Sequence, residues 1–280
     1  MTSTAPPLTA APQVSAAQAA ISDTLTITRR NLTRLFRVPD SIAFGIVQNV
    51  MFVLLFTYVF GGAIQVPGGS YVEFLMAGIF VQTVAFTCAT TTISMAEDLQ
   101  RGVIDRFRSL PMAKGAVLAG RTVSDFIFST ITVTALVLTG LLVGWRTHAP
   151  FPSIVAGFAL LSLFAYAFLW IGAVIGMSVR SPEVAQTAGL IWLFPLTFIS
   201  NAFVPVQSMP SWLQPIAEWN PISCVVQALR ELFGNLPPGY NPGDSFPMQN
   251  PILMSLIWCF GLLAVFIPLG VSRYRKAASR

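Results

Sequence analysis

From Phe126 to Trp145 the chain runs through "FIFSTITVTALVLTGLLVGW" without one charged side chain. That length matches the ~20 residues an α-helix needs to cross the hydrocarbon of a bilayer. Comparable apolar segments lie at roughly 41–62, 72–96, 116–145, 152–178, 183–205 and 250–272. A backbone in lipid must satisfy its own hydrogen bonds, and runs this long do so as helices. The alternation of a barrel strand is absent. A mean hydropathy of +0.70 agrees. Sixteen Lys and Arg with eleven Asp and Glu, unevenly placed, do not supply the polar surface of a soluble 280-residue domain.

The expected architecture is an all-α integral membrane protein with six transmembrane helices, written as residues 41–272. A disordered tail at 1–20 precedes it, without the basic start and compact apolar run of a signal peptide. Residues 21–40 read as an amphipathic helix lying in the headgroup layer. Ile21, Leu25, Leu32, Leu35 and Phe36 recur at helical spacing, and Arg29, Arg30, Arg34 and Arg37 occupy other positions, suited to anionic lipid. Pro39 then ends the pattern. Residues 273–280 form a basic tail.

Charge sets the expected orientation. An even number of spans puts both termini on one side. Fourteen of the sixteen Lys and Arg fall with those termini, in the second and fourth connections or close beside them; Arg146 and Arg230 fall opposite. The positive-inside rule makes the first side cytoplasmic, in a plasma-membrane protein with both ends inside. The net charge of +5 then reflects orientation and implies no nucleic-acid partner.

Two connections are distinctive. Between spans 2 and 3, "MAEDLQRGVIDRFRSLPMAKG" packs Glu97, Asp98, Arg101, Asp105, Arg106, Arg108 and Lys114 between apolar runs. Good helix formers from Glu97 to Leu110, closed by Pro111, predict a short helix with an approximate apolar stripe of Leu99, Val103, Ile104, Phe107 and Leu110. Such a helix is either solvated or docked in a partner's groove. Between spans 5 and 6, Trp212 and Trp219 and a helical run from Ile222 to Phe233 predict two short external or re-entrant helices.

Other features leave alternatives open. Gly140/Gly144 and Gly172/Gly176 have G-x-x-x-G spacing, for helix packing within the chain or between copies. Pro195 would kink span 5. Gln48, Asn49, Gln82 and Asn201 offer interhelical hydrogen bonds or substrate contacts. Cys88, Cys224 and Cys259 are too scattered for a disulfide framework or metal site. His148 stands in a loop with no assigned role. An enzyme would need a clustered catalytic set, which is missing. An ion-coupled secondary transporter, the alternative function, would need an ionisable residue near mid-span, and no span has one at its centre. No G-x-x-x-x-G-K-[ST] phosphate loop occurs, so ATP-driven transport would need a separate motor.

"EDLQRGVIDRFRSLPM" resembles the segment between the second and third spans of ABC-2 type transporter permeases. "MPSWLQPIAEWNPISCVVQALREL" resembles the segment before their last span. The chain resembles daunorubicin-resistance-type drug exporter permeases, over about residues 21–275. The resemblance implies the membrane subunit of an exporter: a dimer, homomeric or of paired paralogues, on two cytoplasmic ATPase subunits. These bind ATP and Mg, so this chain needs no cofactor of its own. A hydrophobic or amphipathic cargo (drug, antibiotic or lipid-like) is expelled. The resemblance makes the charged insert a coupling helix. Glu97 and Asp98 open it, Gly102 permits close approach, and Arg101, Asp105, Arg106 and Arg108 fall within it. The interface helix also contacts the ATPase. Asn220, Pro221 and Arg230 match the external pattern. Arg101 departs from it, because many members are acidic there, which leaves the ion pairs open.

Overall fold

The computed structural model describes residues 15–37, 39–61, 70–102, 116–236, 239–240 and 243–277. They are helical throughout their regular parts, with no strand among them. In chain order the helices are α1 (Ala16–Phe36), α2 (Pro39–Leu55), α3 (Tyr71–Gln100), α4 (Ala116–Val143), α5 (Phe151–Gly176), α6 (Pro182–Leu190), α7 (Leu193–Phe198), α8 (Gln214–Trp219), α9 (Pro221–Phe233), α10 (Phe246–Gln249) and α11 (Pro251–Ala277). A wider π turn, Phe56–Phe60, prolongs α2.

Four of the described helices are long and apolar enough to span a bilayer: Tyr71–Gln100, Leu118–Val143, Phe151–Gly176 and Pro251–Tyr274. The first expected segment holds a shorter apolar helix, Ala43–Val59. α1 ends at Phe36, before Pro39 as expected, and Pro39 itself opens α2. Its fixed φ suits a first turn, and its missing N–H is no loss there.

The fifth expected segment, 183–205, is not one helix. It divides into α6, a turn at 191–192, α7 and irregular chain from Ile199. Pro195 lies in the first turn of α7, where the absent N–H is tolerated. Hydropathy reads composition and does not register this interruption.

α3 is the central helix. Burial covers 78% of its most apolar window, against 17% for α11. Ile257, Phe260 and Val265 on α11 stay exposed, the pattern of a helix whose apolar face meets lipid or another chain. α3 packs closely on α5. A Cβ at Gly172 would collide with the Cys88 carbonyl, and one at Gly176 with that of Thr92. Small residues there let the two backbones approach. The Thr92 hydroxyl completes the seam, donating to the Cys88 and Gly172 carbonyls at 2.8 and 3.1 Å. The Gly172/Gly176 pattern therefore serves packing inside the chain. Gly144 lies beyond the end of α4 at φ +104°, so Gly140 and Gly144 are not a helical pair.

α1 lies along α4 and α2. Ile27 and Thr28 are buried, and Thr28 Oγ1 donates to the Gly120 carbonyl at 3.2 Å. Ile21 and Leu25 face outward. The apolar residues of α1 thus divide between a packed side and an open side.

Candidate functional site

Polar groups concentrate at the two ends of α3. At its C-terminal end, Glu97 and Asp98 sit in the last turns of the helix. The coupling helix expected to begin at Glu97 is therefore, as far as Gln100, the continuation of span 2 beyond its expected end at residue 96. Gly102 follows with φ at +63°, in the left-handed region that favours glycine. Asp105, Arg106 and Arg108 lie outside the described residues.

Arg121 and Asp125 sit one turn apart on the apolar helix α4. Arg121 Nη1 donates to Asp98 Oδ2 at 2.9 Å, and its Nε lies 3.3 Å from Asp125. The Thr91 hydroxyl donates to Asp125 Oδ2 at 2.8 Å. The side chains of Arg121, Asp98 and Asp125 are only 14%, 16% and 19% exposed. One guanidinium thus holds two carboxylates from different helices. This pairing escapes a segment-by-segment reading. The available signal was an i, i+4 Arg/Asp pair inside an otherwise apolar helix. Glu97 pairs with Arg101 at 3.2 Å in a far more open position.

At the other end of α3, Arg230 of α9 is fully buried. Its Nε donates to the Phe74 carbonyl at 3.0 Å, and its Nη2 to those of Asn201 at 2.8 Å and Ala202 at 3.4 Å. Its guanidinium carbon stands 3.4 Å from the centre of the Phe74 ring, a cation–π contact. No carboxylate pairs with it among the described residues. Arg230 falls within the expected helical run from Ile222 to Phe233, and it faces inward on α9. Its field reaches Tyr240, whose phenol burial pushes up while Arg230 opposes the shift.

Asn220 and Pro221 begin α9. Asn220 Oδ1 accepts from the Ile222 N–H at 2.8 Å as the N-cap, and Pro221 takes the first helical position. The Asn220 amide also donates to the Leu196 and Ile199 carbonyls, both at 2.6 Å. Those acceptors lie at the end of α7, where helical partners run out. Trp212 and Trp219 are 71% and 51% exposed. His148, given no role, lies 2.9 Å from Glu73 through Nε2.

Arg29 and Arg30 of α1 and Arg37 just past its end line a shallow recess with Thr26 and Thr33; Arg34 is within the helix, and its side chain lies outside the described residues. Among the described residues no group of three or more His, Cys, Asp or Glu could hold a metal.

Residues 22–234, over half of the chain, match the ABC-2 type transporter family. The chain belongs to this family. It is 34% identical over 259 residues to the daunorubicin resistance ABC transporter permease protein DrrB1 of Streptomyces coeruleorubidus, covering 92% of this chain and 87% of that one. It is 24% identical over 274 residues to the probable doxorubicin resistance ABC transporter permease protein DrrC of Mycobacterium tuberculosis, covering 94% and 92%. The linearmycin resistance permease protein LnrN of Bacillus subtilis is 25% identical over 159 residues, 57% of this chain and 40% of that protein. The ABC-2 match includes both ends of α3 and the whole of α9.

Proposed function

We propose that this ABC-2 protein is the membrane subunit of an ATP-driven exporter that expels a hydrophobic or amphipathic compound. The observation that carries the reading is the near-full-length similarity to permeases named for resistance to daunorubicin and doxorubicin. No phosphate loop occurs in the given sequence, which supports ATP hydrolysis on a separate ATPase. In this reading a second permease, a copy or a paralogue, completes the membrane part. The chain crosses six times with both termini cytoplasmic, α2 and the α6–α7 pair supplying the crossings beyond the four long helices. The distribution of Lys and Arg supports that orientation.

The coupling surface is then the C-terminal end of α3 with its continuation: Glu97, Asp98, Arg101, Gly102, Asp105, Arg106 and Arg108. Arg29, Arg30 and Arg34 of α1, with Arg37 just past its end, add a second ATPase-facing surface in this reading. Efflux of a fluorescent amphipathic drug from cells expressing the chain with a candidate ABC ATPase tests the whole reading. Efflux is expected to stop when the phosphate-loop lysine of that ATPase is replaced, and to survive a protonophore. Efflux that survives the dead ATPase and collapses with the proton gradient would establish ion coupling instead. Arg106→Glu with Arg108→Glu is expected to leave the permease in the membrane and abolish transport.

A further inference from the structure

A cavity of about 290 Å³ lies between α3, α4 and α5. It reaches α3 at Val84, midway between the two polar ends of that helix. Thr130 and Ser162, on its edge, lie near the middle of the apolar helices Leu118–Val143 and Phe151–Gly176. Val84, Val133 and Leu161 form a buried floor. Thr130 and Thr134, one turn apart on α4, are exposed at the rim. Among the described residues none that lines it is charged.

The hydroxyls at this edge have a definite polarity. Thr130 Oγ1 donates to the Phe126 carbonyl at 2.9 Å, and Thr134 Oγ1 to the Thr130 carbonyl at 2.8 Å. Ser162 Oγ donates to the Phe158 carbonyl at 2.7 Å. A hydroxyl carries one proton and two lone pairs. With each proton turned back onto its own helix, the rim presents acceptors.

The surrounding lipid decides what gains from such a place. Hydrocarbon tails are as apolar as the floor, so apolar burial alone selects no occupant. A dissolved molecule with an O–H or amide N–H is different. Lipid tails give its donor no partner, which is costly in an apolar medium. The rim supplies that partner. We propose that this cavity binds a small uncharged membrane-dissolved compound carrying a hydrogen-bond donor, an alcohol, phenol or amide. Its apolar body rests on Val84, Val133 and Leu161, and its donor meets the hydroxyl oxygens of Thr130 and Thr134. The volume, just under the ~300–1,000 Å³ of drug-sized sites, suits a compound of about two rings. The inference needs α4 and α5 to lie in lipid and does not depend on the exporter reading.

The test uses two neutral photoreactive probes of nearly equal size, para-(hydroxymethyl)benzophenone and its methyl ether. The alcohol has the donor and the ether lacks it. Each is irradiated with the full chain in phosphatidylcholine nanodiscs over a range of probe-to-lipid ratios, and the labelled peptides are mapped by mass spectrometry. The alcohol is expected to label residues 129–137 and 158–165 saturably, at a ratio about 5-fold lower than the ether. Thr130→Val with Thr134→Val keeps shape at two exposed positions and removes the acceptors, so the two probes should then become equal. Val137, also in the lining, is half-buried. Val137→Phe should fill space and weaken both probes about 10-fold.

Equal labelling of the unaltered chain by alcohol and ether overturns the proposal. So does labelling that rises in proportion to the probe without saturating, which is partition into lipid only. A preference for the alcohol that persists in the double variant overturns it as well. If that variant does not fold, alcohol labelling unchanged by Val137→Phe decides against the site.

Discussion

Arg121 and Arg230 both bury a guanidinium against α3, but they do so differently. Their contacts on α3, at Asp98 and Phe74, are separated by about 36 Å at the helical rise of ~1.5 Å per residue. Arg121 meets two carboxylates on side chains, which can rotate, exchange partners or take a proton. Arg230 meets backbone carbonyls from α3 and from the turn at 201–202, which cannot. Taking either charge out of water costs several kcal/mol before its partners repay it. The repayment for Arg121 is an adaptable ion cluster. For Arg230 it is a fixed junction of three pieces of chain. Two arginines of equal formal charge thus mark the adaptable and the rigid end of one helix.

The largest effect is expected at the rigid end. Arg230→Ala removes the donor to three carbonyls at once. Buried groups left unsatisfied cost ~1–3 kcal/mol each, so the total should exceed about 3 kcal/mol. Thermal unfolding in detergent should show a strongly lowered midpoint or no folded protein. Arg230→Lys keeps the charge without the planar fork, and should recover only part of the loss. An unchanged midpoint in Arg230→Ala would break the comparison.

A smaller effect is expected from Arg121→Ala, which leaves two carboxylates facing each other with little solvent. A fully buried pair broken on one side loses about 3–5 kcal/mol. The partial exposure here lowers the expectation to about 2 kcal/mol. Adding Asp98→Asn and Asp125→Asn should restore most of it, because neutral partners need no counter-charge. If the triple variant is no more stable than Arg121→Ala, the cluster is not held by charge. The smallest effect belongs to Glu97→Gln. With Arg101 56% and Glu97 35% exposed, the pair should contribute about 0.5 kcal/mol or less and fade with added salt.

Much of this fold is legible in the chain, and the gaps have a common cause. Runs such as Phe126–Trp145 announce spanning helices because lipid leaves a backbone few choices. The helix at Pro221–Phe233 was visible nearly to the residue, as the helical run from Ile222 to Phe233. The break in 183–205 was not visible, because the carbonyls it frees are taken by Asn220, more than twenty residues on. The Asp98–Arg121–Asp125 cluster was not visible either. Asp98 was read with the charged connection and Arg121 with the start of a span, and only the packing of α4 on α3 joins them. What a segment does with its own atoms can be read from its letters. What it does with a neighbour's atoms cannot.

The amide of Asn220 has a mechanical consequence. It starts α9 with its oxygen and closes α7 with its nitrogen. Pulling those helices apart would strand two carbonyl oxygens in oily surroundings. One side chain thus latches the end of α7 to the start of α9, and a movement that parts them must first break that latch.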